Sequence, residues 1–220
     1  MKNWRDPLGL NLLESNPVVE AHRRHVLVAF GDISDFASWT KRGSNSPEEF
    51  KSFMIQVYRE FIRFRNGSGY FVKLIGDGLM AIKELSPKNA VSDTIAILQH
   101  SCKLADSINK TIAKTRYPRP NGFRIRIVAG HVWKLTATHT KDEKRKQTDY
   151  LGYSINLASR LLEVDRAIPC LCHQSVNETI DREDHLGLKI KFMKVKKPTH
   201  CPRGVDVEDM EALWSFRAIK

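Results

Sequence analysis

The stretch HVLVAFGD, residues 25–32, decides the fold. Its first six residues form an unbroken apolar run rich in Val, the pattern of a central strand buried on both faces. The run closes on Gly31 and Asp32, which places a carboxylate at the strand's end. Further on, residues 70–75 and 79–82 read as two short strands around Gly76-Asp77-Gly78. Glycines on both sides of Asp77 make a tight hairpin turn with the carboxylate at its tip.

Helices separate these pieces. Ser46-Pro47-Glu48-Glu49 is a helix start: Ser46 caps, Pro47 suits the first turn and Glu49 completes a capping box. Phe50, Phe53, Met54, Val57, Phe61 and Phe64 then recur at three- and four-residue steps, an apolar stripe that stops at Asn66-Gly67-Ser68-Gly69. A second, long helix is predicted over residues 87–114, with Ala90, Ile95, Leu98, Cys102, Ala105 and Ile108 on its inner side. Residues 123–132 alternate Arg124 and Arg126 with Ile125 and Ile127, the signature of a strand. The segment 136–148 is expected to be an exposed excursion, residues 153–163 a helix, and shorter strands with one more helix complete the chain.

The order β-α-β-β-α-β predicts an α+β fold: a split βαβ (ferredoxin-like), mostly antiparallel sheet with helices on one face. Neither an internal repeat nor a linker interrupts it. The expectation is one domain over residues 23–220, preceded by a lead-in segment, residues 1–22, with an apolar patch at 8–13.

Composition narrows the function classes. Of 220 residues 41% are hydrophobic, with 12 Gly and 9 Pro, which excludes a disordered or fibrous chain. No apolar run approaches the roughly 20 residues that span a bilayer, and the N-terminus mixes charge and Pro where a signal peptide would be apolar. A cytoplasmic, soluble protein is expected. With 36 Lys and Arg against 25 Asp and Glu, the formal net charge is +11. Such an excess points to an anionic partner: nucleic acid, nucleotide phosphate or membrane surface. A basic nucleic-acid-binding module is the non-enzyme alternative. The basic runs KDEKRK (residues 141–146) and KIKFMKVKK (residues 189–197) carry no recognition helix, zinc finger or RNP pattern beside them, so DNA or RNA binding is not expected. Cys170, Cys172 and His173, with His200 and Cys201, have the wrong spacing for a zinc site; in a strand the two cysteines share one face as small buried hydrophobes.

The chemistry rests on the paired carboxylates. Two adjacent strands of a split βαβ core would bring Asp32 and Asp77 together, and paired carboxylates on rigid strand ends suit hard divalent cations. Either Asp alone would read as a turn or cap residue. After Asp32, the successive backbone N–H groups of Ile33-Ser34-Asp35-Phe36 have the makings of a phosphate nest, and Arg124 could grip a phosphate bidentately.

Four ordered motifs resemble the class III nucleotidyl cyclase catalytic domain: FGDISDF (residues 30–36), KLIGD (73–77), Arg124 through Gly130, and DYLGYSINLASR (149–160). The resemblance covers residues 25–180. It implies a homodimer with two composite active sites at the interface. Asp32 and Asp77, with the Ile33 carbonyl, would hold two Mg²⁺ or Mn²⁺ ions, and Arg124 would bind phosphate. Asn156 of the partner chain would orient the ribose, and its Arg160 would stabilise charge developing on the α-phosphate. Lys73 and Asp149 fall where the family reads the base. Asp35 and Arg126 stand where the family commonly has Gly, and the late triphosphate-binding Lys has no clean counterpart; Arg203, Lys194, Lys196 and Lys197 are its candidates.

Lys73 donates and Asp149 accepts, so the pair fits adenine or cytosine, and uracil in a shifted pose. Tyr58 would either fill the space beside a small base or pack against the sheet. The chain as a whole resembles the small stand-alone pyrimidine cyclases of bacterial anti-phage (Pycsar) defence, on its length, its lack of a regulatory domain and the segment DFASW (residues 35–39). That implies cyclic UMP or cyclic CMP activating a separate effector protein, with UTP the expected substrate and an adenylate cyclase the alternative. The Gly-Gly-Asp-Glu-Phe signature of diguanylate cyclases is absent.

Overall fold

In the computed structural model, the first strand β1 runs Val18–Ser34 and is the axis of the sheet. The structure describes residues 18–41, 46–67, 69–115, 119–139, 142–180, 189–196, 198 and 201–219. β1 is longer than the apolar run and begins inside the stretch expected as a lead-in; the 8–13 patch lies outside the described residues. The helices α1 (Phe36–Lys41) and α2 (Pro47–Asn66) follow, then the hairpin β2 (Phe71–Ile75) and β3 (Gly78–Glu84). Next come α3 (Ala90–Lys114), β4 (Gly122–His139), β5 (Asp142–Leu151) and α4 (Tyr153–Arg160), which runs into a 3-10 turn at Leu161–Glu163. The chain ends with β6 (Cys170–His173), α5 (Gln174–Thr179), β7 (Ile190–Lys194), α6 (Val207–Glu211) and β8 (Leu213–Ala218).

The α+β class and the mostly antiparallel sheet are as the sequence predicts. The strand order is β2-β3-β1-β4-β6-β8-β7, with β5 on the outside of β4. The only parallel pairing among these is β4 with β6. Val26, Leu27, Val28 and Ala29 are completely buried, because β1 is covered on both sides. Leu27 and Ala29 face a core with Phe53, Val57 and Phe61 of α2 and Ile97, Leu98 and Ile108 of α3. Val26 and Val28 face a second core in which Val128 and Val132 meet Leu157 and Ala158 of α4. The large helices α2 and α3 thus share one face, and the short α4 covers part of the other.

The capping box at the start of α2 is formed as read: the Glu49 N–H donates to Ser46 Oγ at 3.2 Å and the Ser46 N–H to Glu49 Oε2 at 3.3 Å. Cys170 and Cys172 both lie in the first core, as buried hydrophobes should. No group of three His, Cys, Asp or Glu residues suited to a metal occurs among the described residues.

Two segments differ from expectation. Residues 136–139 and 142–148 are strand where an excursion was expected: β4 continues to His139 and β5 pairs back along it, from Trp133↔Leu151 to Thr138↔Lys146. A run of charges has no apolar period, so only the partner strand reveals the ladder. Among the described residues the C-terminal part holds two short helices, α5 and α6, where one was expected. The basic run at 189–197 contains β7, which pairs only with β8 at the sheet's edge. Lysines on an edge strand oppose pairing with another chain, which gives this part of the charge excess a structural role.

Ser46→Ala should remove the cap of α2 and cost about 1 kcal/mol. A fall in Tm of roughly 2–4 °C is expected, readable by thermal melting; an unchanged Tm would show that the box contributes nothing.

Candidate active site

Asp32 lies near the end of β1, where the antiparallel register sets it opposite Arg124 of β4. The next strand pair brings in the second carboxylate. Gly31 of β1 pairs with Leu79 of β3, so the β2–β3 turn that carries Asp77 rests on Gly31 and Asp32. The approach is so close that a Cβ on Gly78 would lie 2.4 Å from the Gly31 carbonyl oxygen. Glycine is therefore required there for contact rather than for its dihedral freedom. Tyr58 of α2 donates its hydroxyl to the Gly76 carbonyl at 3.1 Å and steadies the same turn. This engages Tyr58 with the hairpin carrying Asp77, on the α2 face of the sheet, while strand alternation puts Lys73 on the other face with Phe71.

The two carboxylates perturb each other. Burial and the nearby Asp32 charge push the Asp77 carboxyl up to about 6. Burial also raises Asp32, although Arg124 and Arg166 pull it back down. Arg124 is itself lowered by burial, so at both ends of this ion pair desolvation outweighs attraction. The Ile33 N–H lies against both carboxylates and favours their ionised forms.

Arg124 is 6% exposed. Its Nη2 donates to Asp32 Oδ2 at 3.2 Å and its Nη1 to the Leu162 carbonyl at 2.5 Å, while the buried Nε has no partner. Each terminal nitrogen thus spends one of its two N–H groups, so Arg124 holds Asp32 and the Leu162 carbonyl with donors left over. Asp35 adopts φ +59°, a backbone region that favours Gly and tolerates Asp. Its carboxylate accepts from Asn121 and from Arg166 Nη1, the latter at 3.4 Å. The Phe36 ring packs with Trp39 and Phe50, at centroid separations of 5.5 and 6.0 Å, so only its backbone remains for phosphate.

Lys73 of β2 and Asp149 of β5 meet, Nζ to Oδ2, at 2.8 Å. Asp149 Oδ1 also accepts the Tyr150 N–H at 2.9 Å, which fixes the carboxylate's orientation. On α4, Asn156 and Arg160 are one turn apart and both exposed, available to a second molecule. Arg160 touches Glu163 at 3.3 Å. The helix sits tight on β4, since a Cβ on Gly130 would fall 2.2 Å from Ser154 Oγ. Of the late cation candidates, Lys194, Lys196 and Arg203 are exposed; Lys197 lies outside the described residues.

Sequence reasoning missed Arg126. It reads as one of two polar residues on an alternating strand, yet it is completely buried and surrounded by backbone carbonyls of residues 161–169. The departure from Gly at this position was the available signal.

Residues 18–197 match the adenylate and guanylate cyclase catalytic domain, and the chain belongs to that family. Among solved structures, the adenylyl cyclase CyaB from P. aeruginosa superimposes with a TM-score of 0.68 at 16% identity, covering 91% of this chain and 96% of that one. The guanylyl cyclase Cya2 gives 0.62 at 16% identity, with 91% and 95% covered. The guanylate cyclase domain of RhGC from Catenaria anguillulae, solved in complex with GTP, gives 0.58 at 16% identity, with 91% and 100% covered. At such identities the likeness establishes the fold. No curated protein sequence matches significantly. None of the described helices is long and apolar enough to cross a membrane.

Burial of Asp77, with the Asp32 charge beside it, predicts a pH-dependent stability in metal-free protein. Asp77 has its carboxyl raised from 3.8 to about 6 on folding, so its contribution is full below the unfolded value and is lost as pH rises through 6. Asp77→Asn in chelator should therefore melt a few degrees higher than wild type at pH 8, with the gain shrinking toward pH 4. A gain absent at pH 8 would mean that folding does not raise the Asp77 carboxyl.

Proposed function

We propose that this chain works as a homodimer that cyclises a pyrimidine nucleoside triphosphate, UTP ahead of CTP, to its 3′,5′-cyclic monophosphate and pyrophosphate. The observation that carries the reaction type is the placing of Asp32 and Asp77 side by side in a chain matching the cyclase family over residues 18–197. The donor set suits a hard cation: two half-buried carboxylates whose repulsion a divalent ion would relieve, with the Ile33 carbonyl as the further ligand that the family resemblance implies. Mg²⁺ or Mn²⁺ held there would lower the pKa of the ribose 3′-hydroxyl and neutralise phosphate charge.

The remaining roles fall to side chains of this protein. Arg124 fixes the orientation of Asp32 and adds positive charge on the phosphate side. The Lys73–Asp149 pair opens to receive a base edge carrying an acceptor beside a donor. Uracil satisfies it with O4 and N3–H, cytosine with N3 and its amino group. Asn156 of the partner chain holds the ribose so that its 3′-oxygen lies in line with the α-phosphorus. As the new P–O bond forms and the bond to the β-phosphate breaks, the partner's Arg160 stabilises the charge on the α-phosphoryl oxygens. ATP is the second reading, since adenine presents N1 and its amino group to the same pair. The preference for UTP rests on the resemblance of residues 35–39 to the pyrimidine cyclases. On that reading the product is a second messenger for a separate effector in anti-phage defence.

Turnover of UTP, CTP, ATP and GTP with Mn²⁺ should show UTP as the best substrate; a clear ATP preference would overturn the base assignment. Asp77→Ala should abolish turnover with fold and dimer intact, and unchanged turnover would remove Asp77 from the site. Mixing Asp32→Ala with Arg160→Ala chains should restore activity through one intact composite site per heterodimer. Confirmed heterodimers without activity would refute interface sites.

A further inference from the structure

Among the described residues Arg126 is the largest completely buried side chain, and its hydrogen bonds go to backbone carbonyls. Nε donates to the Leu161 carbonyl at 2.9 Å, and Nη2 to those of Val164 and Asp165 at 3.0 and 3.1 Å. Nη1 donates to the carbonyls of Ile168 at 2.9 Å, Pro169 at 3.3 Å and its own strand's Ile125 at 3.1 Å. Taking a guanidinium out of water is costly unless its donors are filled. Here carbonyls fill them, and burial still depresses the guanidinium pKa to about 9.

These acceptors have a common origin. Leu161 caps the C-terminus of α4, and the 3-10 turn and loop beyond it present their carbonyls to Arg126; those of Leu161, Asp165 and Pro169 also accept the backbone N–H groups of Val164, Ile168 and Ile125, so the guanidinium adds a second bond at each. A helix C-terminus also has partial negative charge, which a cation stabilises. α4 has only eight residues, too few for a helix to hold itself in place. Its last residue is Arg160, and the next carbonyl along the chain, that of Leu161, is bound by Arg126 Nε. Arg124 adds a grip one residue further on, at Leu162.

We propose that Arg126 is a positioning residue for the transition-state arginine: it anchors the C-terminal end of α4 to β4 and so sets where Arg160 stands in the site of the partner chain. The proposal rests on the composite-site reading above. Arg160 acts on charge that develops in the transition state, so loss of its anchor lowers kcat and spares KM. Misplacement by about 1 Å costs on the order of 100-fold.

The test uses full-length heterodimers in which one active site is already dead through Asp32→Ala. With Arg126→Met on the opposite chain, the surviving site pairs an intact Asp32 with an Arg160 whose own chain keeps Arg126, and activity should match the Asp32→Ala/wild-type heterodimer. With Arg126→Met on the same chain as Asp32→Ala, the surviving site draws on the unanchored Arg160, and kcat should fall roughly 100-fold with KM within about threefold. Equal loss in both arrangements would reduce Arg126 to a general structural role. The reverse pattern would mean that it acts through Arg124 and Asp32, and full activity in both would end the proposal. Arg126→Lys, which keeps the charge but cannot span the same carbonyls, is read in the same two arrangements if the Met variant does not fold. The Asp32→Ala plus Arg160→Ala mixture is the control: if it stays inactive, the composite site fails and the proposal falls with it.

Discussion

β1 pairs with β4 without a break from Val18↔Thr138 to Ser34↔Gly122, and the rest of the structure depends on that register. A side-chain period of two leaves no tolerance for slippage: moving either strand by one residue would turn every core residue to the opposite face. The same register sets Asp32 opposite Arg124. Through the pairing of Gly31 with Leu79 on β1's other side, it also delivers the Asp77 turn to the same corner. Val26 to Ala29, buried under helices on both faces, hold the strand where this alignment is enforced.

The corner so defined concentrates charge where water is scarce. Asp32, Asp77 and Arg124 are each shifted toward their neutral forms, with burial the largest cause in all three. Such an arrangement costs stability in the free protein and suits a site that receives compensating charge from outside, namely cations and a triphosphate. Arg126 lies two residues along β4 and is satisfied by backbone carbonyls. The two arginines therefore differ in kind: Arg124 faces the carboxylates and Arg126 the end of α4.

The charge excess divides along similar lines. Lys73 sits against Asp149, and Arg124 and Arg160 belong to the candidate site. The basic run at 189–197 contains β7, the strand at the sheet's edge beside β8. There charge discourages pairing with foreign strands and contributes to steering of an anionic nucleotide. A net charge of +11 needs no nucleic-acid partner to account for it.

Local rules in the sequence determined much of this protein. The Val-rich run marked the central strand, Ser46 and Glu49 marked the start of α2, and two glycines around Asp77 marked the hairpin, each through interactions spanning a few residues. The pairing of Asp32 with Asp77 and the shared face of Asn156 and Arg160 were legible as well, because strand ends and helical spacing imply them. Only the tertiary structure decided the β4–β5 ladder, the direct contact of Lys73 with Asp149, the capture of Arg124 by Asp32 and Leu162, and the burial of Arg126. Each of these depends on groups distant in the chain. An arginine on an alternating strand has the same sequence whether water or a helix end covers it, and here backbone carbonyls between residues 161 and 169 take up the donors of a side chain that would otherwise need water.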